Sequence, residues 1–224
     1  MREKDWFVDS GRRSVQDFER ALGLITKSIK DYPRVLDFGC GAGRILLHLE
    51  EAGRVVELHG CDIDAEAIKW AQTNVPWARC IVNPYLPPSE YPDAFFDLIL
   101  NHSVFSHLDE RYQGAWLAEL ARIIQPGGTA LLSVNGTHAF EGFEKSWREA
   151  GADPTPLREK LRREGILYIV EDSWKAGPFP DFYHSTFHAP WYVFEHWSRC
   201  FDIKAYIPRG ALDFQDLVLL QKRS

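Results

Sequence analysis

Three glycines spaced two residues apart are the strongest chemical signal in this 224-residue sequence. They are Gly39, Gly41 and Gly43, in the run Val35-Leu-Asp-Phe-Gly-Cys-Gly-Ala-Gly43. The run begins as a short apolar strand and leads into a helical stretch predicted over about 44–51, so the glycines occupy a strand-to-helix turn. Glycine lets the backbone turn sharply and approach a ligand closely, beside N–H groups that favour an anion. This arrangement predicts a cofactor-binding loop.

An acidic residue follows the glycines at the distance expected for a ribose ligand. Asp62 comes 19 residues after Gly43, at the end of the next predicted strand. A carboxylate in that place can accept hydrogen bonds from both hydroxyls of a ribose. The loop and the acid together predict an adenosine-type cofactor.

The glycine spacing and a second acid distinguish between adenosine cofactors. Dinucleotide enzymes usually carry Gly-x-Gly-x-x-Gly and leave room for a pyrophosphate. Here the glycines are spaced by two, and Asp37 lies just before them. A carboxylate there can hydrogen-bond an ammonium, directly or through water, but is unfavourable beside a pyrophosphate. We therefore expect S-adenosylmethionine and disfavour a nicotinamide-dependent dehydrogenase.

Short apolar strands alternate with helices through the first half of the chain, and one of these helices has Asp64 as its N-cap. The alternation indicates βαβ units, hence a parallel sheet with helices on both faces. Two later strand-like runs, 201–207 and 216–221, have no helix between them and predict an antiparallel hairpin. We predict an α/β, Rossmann-like doubly wound sheet, mostly parallel, with a C-terminal antiparallel hairpin strand and a small insertion or cap after strand five. The five parallel strands are expected over 34–38, 55–61, 80–82, 96–100 and 129–134.

The whole chain, 1–224, is expected to form a single domain, with an N-terminal helical segment over 1–30 and an insertion over 136–189. Of the 30 aromatic residues, 14 fall between Phe140 and Phe201. A helix is predicted over 156–164 and a short strand over 166–170, and a helix over 190–199 leads into the hairpin. We expect the insertion to lie above the cofactor's methyl end, with lid candidates Phe179, Phe182, Tyr183 and Phe187.

Composition excludes several classes of protein. The formal net charge is −6, which argues against a nucleic-acid-binding surface. The longest apolar runs are far shorter than a membrane span, and the first residues lack the apolar stretch of a signal peptide. The four cysteines are too widely spaced for a zinc or redox pair. These features lead us to expect a cytoplasmic protein with reduced thiols, monomeric or homodimeric, that binds neither nucleic acid nor membranes.

Taken together, the motifs resemble those of the class I S-adenosylmethionine-dependent methyltransferases. The resemblance covers about 34–133 and the final hairpin. Besides the glycine run and Asp62-Ile63, it is carried by Phe96-Asp-Leu-Ile-Leu100 and Leu120-Ala-Arg-Ile-Ile-Gln-Pro-Gly-Gly128. It implies methyl transfer from S-adenosylmethionine, with S-adenosylhomocysteine as product, without specifying a substrate.

The resemblance also implies individual roles. In the family, the glycine loop holds the methionine part, the acid that ends strand two binds ribose, and its neighbour packs on adenine. A side chain after strand three often meets the adenine amine; Asn83 is the candidate here and Cys80 a weaker one. Residues ending strand four contact the methionine amino group. The expected cofactor-binding residues are therefore Asp37, Gly39, Cys40, Gly41, Gly43, Asp62, Ile63, Asn83 and Asn101.

One more cofactor contact is predicted upstream, where Asp9-Ser-Gly-Arg-Arg13 precedes an amphipathic helix. Gly11 and Arg12 or Arg13 can fold over the glycine loop, so that an arginine, Arg12 in our assignment, meets the cofactor's carboxylate. The alternative is an exposed N-terminus followed by a surface helix.

Methyl transfer from a sulfonium mainly requires alignment of donor and acceptor, and an oxygen nucleophile of high pKa also benefits from a general base. Alternation along 181–188 places Tyr183, Ser185 and Phe187 on one strand face, and His184, Thr186 and His188 on the other. We expect His184 to be the base, followed by His102 or His188. His107, six residues after Asn101, can face the same cleft as His102, but we favour its interpretation as a helix-start histidine bonded to backbone.

A metal-dependent scheme has weaker support. No common spacing unites its candidate ligands, so we expect no metal site. These candidates are Asp109, Glu110, Asp172 and Asp181.

The sequence thus predicts a methyltransferase that acts on an oxygen or nitrogen of a small metabolite or sugar-like acceptor. A non-catalytic S-adenosylmethionine-binding subunit is an alternative, because an intact glycine loop argues only for binding. An amino-adenine methyltransferase is disfavoured, since Asn101-His-Ser-Val replaces the Asn-Pro-Pro-Tyr type of motif after strand four.

Overall fold

A computed structural model describes residues 3–170 and 180–223. Its central feature is a seven-stranded sheet with strand order β3-β2-β1-β4-β5-β9-β8. The first five strands are parallel, and β9 runs antiparallel to both β5 and β8. The predicted Rossmann-like sheet with its antiparallel C-terminal hairpin is therefore confirmed. The strands are β1 (Arg34–Phe38), β2 (Glu57–Asp62), β3 (Ala78–Val82), β4 (Phe96–Asn101), β5 (Ile124–Val134), β8 (Asp202–Ala211) and β9 (Gln215–Gln221).

Helices cover both faces of this sheet, because successive strand residues point to opposite sides. Val35 of β1 belongs to one buried core and its neighbour Leu36 to the other. The Val35 core includes Phe18 and Ile68 from two helices, and the Leu36 core includes Trp197 from another. The helices are α1 (Glu3–Gly23), α2 (Ala65–Asn74), α3 (Glu110–Ile123), α4 (Thr137–Glu149), α5 (Thr155–Glu164) and α6 (Pro190–Trp197).

Between β5 and α6 the chain forms a small cap, made of α4, α5 and the antiparallel strands β6 (Ile166–Ile169) and β7 (Ser185–His188). Helix α4 was not predicted from the sequence. The cap has its own apolar core, in which Phe187 is fully buried beside Phe140. Backbone hydrogen bonds join β7 to the main sheet's carboxyl edge, from Thr186 N to Ser106 O and from His188 N to Asn135 O, both 2.8 Å. The cap is thereby held against the carboxyl edge of the sheet.

The segment after the glycine loop differs from its prediction. Instead of an α-helix over 44–51, the chain makes turns and a 3₁₀ helix at Leu46–His48. The Leu46 carbonyl accepts hydrogen bonds from Leu49 N (3.0 Å) and from the Trp77 indole Nε1 (2.8 Å). Helix α1 also crosses this segment so closely that a Cβ on Gly11 would overlap the Arg44 carbonyl. Tertiary contacts therefore replace the predicted helix by a tighter turn.

None of the helices in the described residues combines the length and the apolar character needed to cross a membrane.

Candidate functional site

A cavity of about 870 Å³ opens at the carboxyl edge of the parallel strands. Ligands of open α/β sheets bind at this edge. The glycine loop forms part of the wall, through Gly39, Cys40, Gly41 and Ala42. Gly39 has φ of +79° and Gly41 of +52°, which is the left-handed region that favours glycine.

Asp62 links the glycine loop to the end of β2. Its carboxylate accepts hydrogen bonds from Gly41 N (2.7 Å) and Asp64 N (3.0 Å), and it lines the cavity together with Ile63. Burial raises the pKa of Asp62, and these backbone donors act in the opposite direction. The site therefore presents a fixed carboxylate beside an apolar side chain, which suits a ribose and an adenine ring.

Asn83 lies in the same wall, after β3. Its side-chain Oδ1 is buried and lacks a hydrogen-bond partner among the described residues. A buried amide oxygen without a partner is costly. An adenine amine at this place would satisfy it, so the orphaned atom supports the predicted role of Asn83.

Asp37 and Arg44 form the charged base of the site. Asp37 is buried behind the loop, and neither of its carboxylate oxygens has a partner among the described residues. Burial raises the pKa of Asp37 to about 7, while the positive charge of Arg44 acts to lower it. Arg44 itself lines the cavity and donates to Ser14 Oγ at 3.2 Å. This site can accept an additional positive charge near Asp37, as an ammonium or sulfonium provides.

Comparison with known proteins agrees with this geometry. Residues 36–132 match the family model described as a methyltransferase domain. Residues 36–132 belong to the class I S-adenosylmethionine-dependent methyltransferases. The match includes the glycine loop and Asp62, so this methyltransferase domain contains the part of the cavity described above.

Two relatives and one solved structure illustrate the range of similarity. A fatty-acid O-methyltransferase from Mycolicibacterium smegmatis is 32% identical over 139 residues, which is 61% of this chain and 48% of that protein. A ribosomal protein L11 methyltransferase from Burkholderia cenocepacia is 30% identical over 109 residues, 49% of this chain and 34% of that protein. The matches thus span a third to a half of these relatives.

The solved structure is a 1,6-didemethyltoxoflavin-N1-methyltransferase from Burkholderia thailandensis with bound 1,6-didemethyltoxoflavin and S-adenosylhomocysteine. It is 16% identical to this chain, with a TM-score of 0.63, and the alignment covers 100% of this chain and 82% of that one. At this identity the similarity supports the fold alone.

Four predicted cofactor residues do not line the cavity, namely Asp37, which is buried behind the loop, and Asn101, Gly43 and Arg12. Asn101 donates from Nδ2 to the Phe38 carbonyl (2.7 Å), which ties β4 to β1. Gly43 packs beneath α2, and Arg12 forms an exposed ion pair with Asp9 at 2.6 Å. On α1 the arginine that lines the cavity is Arg13. Helix α1 does cross the loop, but its rotation turns Arg12 towards solvent.

Two of the three predicted catalytic histidines also lie away from the cavity. His188 is fully buried, with Nε2 at 2.9 Å from Gln113 Oε1, and His184 is buried with its ring against Tyr168. The predicted alternation is present, but the opposite face, with Tyr183 and Ser185, meets the cavity. The expectation that the histidine face looks into the cavity therefore does not match the structure.

His102 does line the cavity, with Nδ1 at 3.3 Å from Ser14 Oγ. Burial and the nearby Arg44 lower its pKa to about 3. An imidazolium at this position would face a guanidinium, so His102 is a poor proton acceptor. It is better suited to binding in its neutral form.

The half of the cavity away from the glycine loop has an aromatic wall with uncharged polar groups. Phe182 lies stacked on Tyr112, with ring centroids 4.1 Å apart, and Tyr183 is stacked on His107 at 4.2 Å. Phe179, the remaining lid candidate, lies outside the described residues, and Phe187 belongs to the cap core instead. The aromatic side chains of this wall include Tyr85, Phe143, Phe182, Tyr183 and Phe214, and the uncharged polar ones include Ser103, His107, Asn135, Ser185 and Gln215.

Sequence reasoning missed Arg44, Asn135 and Gln215 as parts of this wall. Asn135 directly follows β5 and Gln215 begins β9, so their places at strand ends were a usable signal. Arg44 left no comparable signal, because its approach to the cavity depends on the turn that replaces the predicted helix.

Of the proposed metal ligands, Asp109 caps α3 through Tyr112 N (2.9 Å) and Glu110 accepts a bond from the Tyr192 hydroxyl (2.7 Å). Asp172 lies outside the described residues. Within the described ranges, His, Cys, Asp and Glu side chains form no group of three that could hold a metal ion.

Proposed function

We propose that this protein transfers a methyl group from S-adenosylmethionine to an oxygen or nitrogen of a small-molecule acceptor. The observation that carries the proposal is that one cavity joins the glycine loop, Asp62 and Asn83 to an aromatic wall under the cap. Its volume of about 870 Å³ falls in the range of ligand pockets, about 300–1,000 Å³. The cavity is therefore suited to a nucleoside and a flat acceptor together.

When bound, S-adenosylmethionine supplies an electrophilic methyl group on a sulfonium. This chain's residues then bind and orient: Asp62 holds the ribose, Ile63 packs on adenine, and Asn83 accepts from the adenine amine. The aromatic wall aligns the acceptor and excludes water, which is the main requirement of an in-line displacement. The whole chain is proposed to act as one domain, with the cap over 136–189 selecting the acceptor.

Calorimetry with S-adenosylmethionine, S-adenosylhomocysteine and NAD tests cofactor choice. We expect both sulfur nucleosides to bind and NAD not to bind. Formation of S-adenosylhomocysteine is then measured with a set of small hydroxyl and amine acceptors and, separately, with ribosomal protein. Binding of NAD alone contradicts the proposal. Binding of the nucleosides without turnover supports a non-catalytic subunit, and turnover confined to protein contradicts the acceptor class.

Cofactor binding is also expected to release a proton from Asp37. Its pKa of about 7 means that the carboxyl is largely protonated at pH 6 in the cofactor-free protein. A bound ammonium favours the ionised form, so affinity for S-adenosylhomocysteine should rise as the pH increases towards about 7 and then level off. The charged groups that act on Asp37 are Arg44 and Asp62. Calorimetry at pH 6 in two buffers of different ionisation enthalpy measures the released proton.

The variant Asp37→Asn is the control, because it keeps the shape of the side chain and cannot ionise. It should bind more weakly and show no proton release from this group. The raised pKa also makes the free energy of unfolding of the cofactor-free protein fall as the pH rises from 3.8 to about 7. Asp37→Asn should reduce that slope to the part that Asp62 contributes, since the pKa of Asp62 is also raised. An unchanged slope would show that Asp37 is not the group that titrates.

A further inference from the structure

The uncharged polar groups of the cavity form one hydrogen-bonded chain that ends on His107. Gln215 Nε2 donates to Asn135 Oδ1 and to Ser103 Oγ, both at 3.0 Å. Ser103 Oγ lies 3.1 Å from Ser106 Oγ and 3.4 Å from His107 Nε2. Ser103, at the end of β4, has φ of +66°. This uncommon conformation for a residue other than glycine indicates that the surrounding structure fixes its position.

A backbone carbonyl determines which nitrogen of His107 carries the proton. His107 Nδ1 lies 3.1 Å from the His184 carbonyl oxygen, which can only accept a hydrogen bond. Nδ1 of the neutral ring is therefore the donor, and Nε2 carries the lone pair. Burial lowers the pKa of His107 to about 4, so the ring is neutral at physiological pH. The structure thus holds an imidazole with a defined acceptor nitrogen on the Ser103 side.

His107 differs from the other histidine of the cavity in its electrostatic surroundings. His102 is affected by Arg44, which opposes a second positive charge. For His107, the bond to the His184 carbonyl favours the protonated ring. Its flat face is covered by Tyr183, at an interplanar angle of 13°. Burial lowers the pKa of both rings, but the carbonyl bond offsets part of that effect at His107, whereas the charge of Arg44 adds to it at His102.

The same surroundings restrict the acceptor. Among the described residues of the wall, the charged side chains are Asp9, Arg13, Arg44 and Asp62, which lie on α1 and around the glycine loop. Among the described residues, His107 meets the Ser103 hydroxyl, the His184 carbonyl and the Tyr183 ring, all of them uncharged. Aromatic rings bind another aromatic ring by stacking or edge contacts. A neutral flat molecule fits this half of the cavity better than an ion.

We propose that the acceptor is an aromatic hydroxyl and that Nε2 of His107 takes its proton during methylation; this inference rests on the function proposed above. The acceptor oxygen forms a bond to the methyl carbon as its proton passes to Nε2. The carbon–sulfur bond breaks, and its electron pair stays on the sulfur of the thioether product. The positive charge moves from the sulfonium to the imidazolium, which then loses its proton to solvent. Ser103 acts as a positioning residue for Nε2.

The test compares two acceptors of one shape, 2-naphthol and 2-naphthalenethiol. At pH 8 the thiol is largely ionised and needs no base, whereas the naphthol keeps its proton. The variant His107→Asn retains an N–H donor for the His184 carbonyl and lacks Nε2. We expect it to lower kcat/KM for 2-naphthol by about 10²- to 10⁴-fold and to change that for the thiol by less than about threefold. His196→Asn, on α6, is the matched control and should affect neither.

The outcomes separate this inference from the proposed function. An equal loss on both acceptors, or no loss on 2-naphthol, overturns the role of His107. Methylation of the thiol but not of 2-naphthol by the unmodified protein overturns the inference and leaves the methyltransferase function standing. Absence of turnover with every small acceptor contradicts both.

A second measurement does not depend on activity. Nitrogen-15 NMR of the unmodified, cofactor-free protein should show His107 as a neutral ring protonated on Nδ1 at pH 7–8, assigned with His107→Asn. An Nε2-protonated ring, or an imidazolium at that pH, overturns the inference directly.

Discussion

Replacing Asp62 by alanine is expected to weaken the binding of S-adenosylhomocysteine by about 1–3 kcal/mol, or about 5- to 150-fold. The carboxylate lines the cavity and already accepts bonds from Gly41 N and Asp64 N. A carboxylate can accept about four hydrogen bonds, so capacity remains for the ribose hydroxyls. The substitution removes those bonds and also leaves the Gly41 N–H without its partner. Calorimetry measures the loss.

Two variants separate these contributions. Asp62→Asn keeps one oxygen for Gly41 and should lose less affinity than Asp62→Ala. Asp64→Ala removes a carboxylate two residues away that caps α2 through Glu66 N and Ala67 N. It should cost about 1 kcal/mol of stability and leave the affinity unchanged. If Asp62→Ala bound as tightly as the unmodified protein, the ribose would not lie where we place it.

The second large effect is expected from Gly39→Ala. Gly39 has φ of +79°, and a Cβ there would overlap Cγ2 of Val104. The left-handed backbone costs about 1–2 kcal/mol, and the overlap adds about 1–3 kcal/mol. Because the relief of this overlap must move the loop, we expect the affinity for S-adenosylhomocysteine to fall below detection. Thermal unfolding measures the loss of stability, and calorimetry measures the loss of affinity for S-adenosylhomocysteine.

Gly127→Ala is the control for the cost of placing a side chain on a left-handed backbone. Gly127 has nearly the same φ, +77°, and no atom within 4 Å of an added Cβ among the described residues. It should lose only the backbone cost of about 1–2 kcal/mol and keep cofactor binding. The double variant Gly39→Ala with Val104→Ala should recover part of the stability. Equal losses in the two single variants would rule out the steric argument.

The cofactor half of the site was largely predictable from the sequence, because its residues lie next to strand ends. Gly39, Cys40, Gly41, Asp62 and Ile63 all line the cavity. Each ends a strand or lies within the three residues after one, the apolar pattern of these strands is visible in the sequence, and parallel strands present their carboxyl ends at one edge. The short-range sequence pattern and the geometry of a parallel sheet were together sufficient to predict these five cavity residues.

The helix over 44–51 was wrong for a reason that local pattern does not contain. Its apolar spacing is helical, but the Trp77 indole binds the Leu46 carbonyl and α1 crosses the Arg44 carbonyl. These partners come from 31 and 33 residues away in the sequence. Long-range contacts thereby overrode the propensity and placed Arg44 in the cavity wall.

The part of the cavity that we assign to the acceptor was less predictable from the sequence, again because long-range contacts form it. Period-2 alternation correctly separated Tyr183 and Ser185 from His184 and His188, yet which face meets the cavity depends on how β7 docks. That docking is set by the bonds from Thr186 N to Ser106 O and from His188 N to Asn135 O.

The sequence by itself determined the sheet, the glycine loop and the place of the Asp62 carboxylate at the end of β2, because these follow from nearest-neighbour pattern and strand order. Only the tertiary structure decided which histidines line the cavity and what they contact. Ser103 and Gln215 are separated by 112 residues, and His107 and His184 by 77. The ring nitrogen that accepts, and the charges near it, depend on contacts made only when the cap and the final hairpin pack onto the sheet.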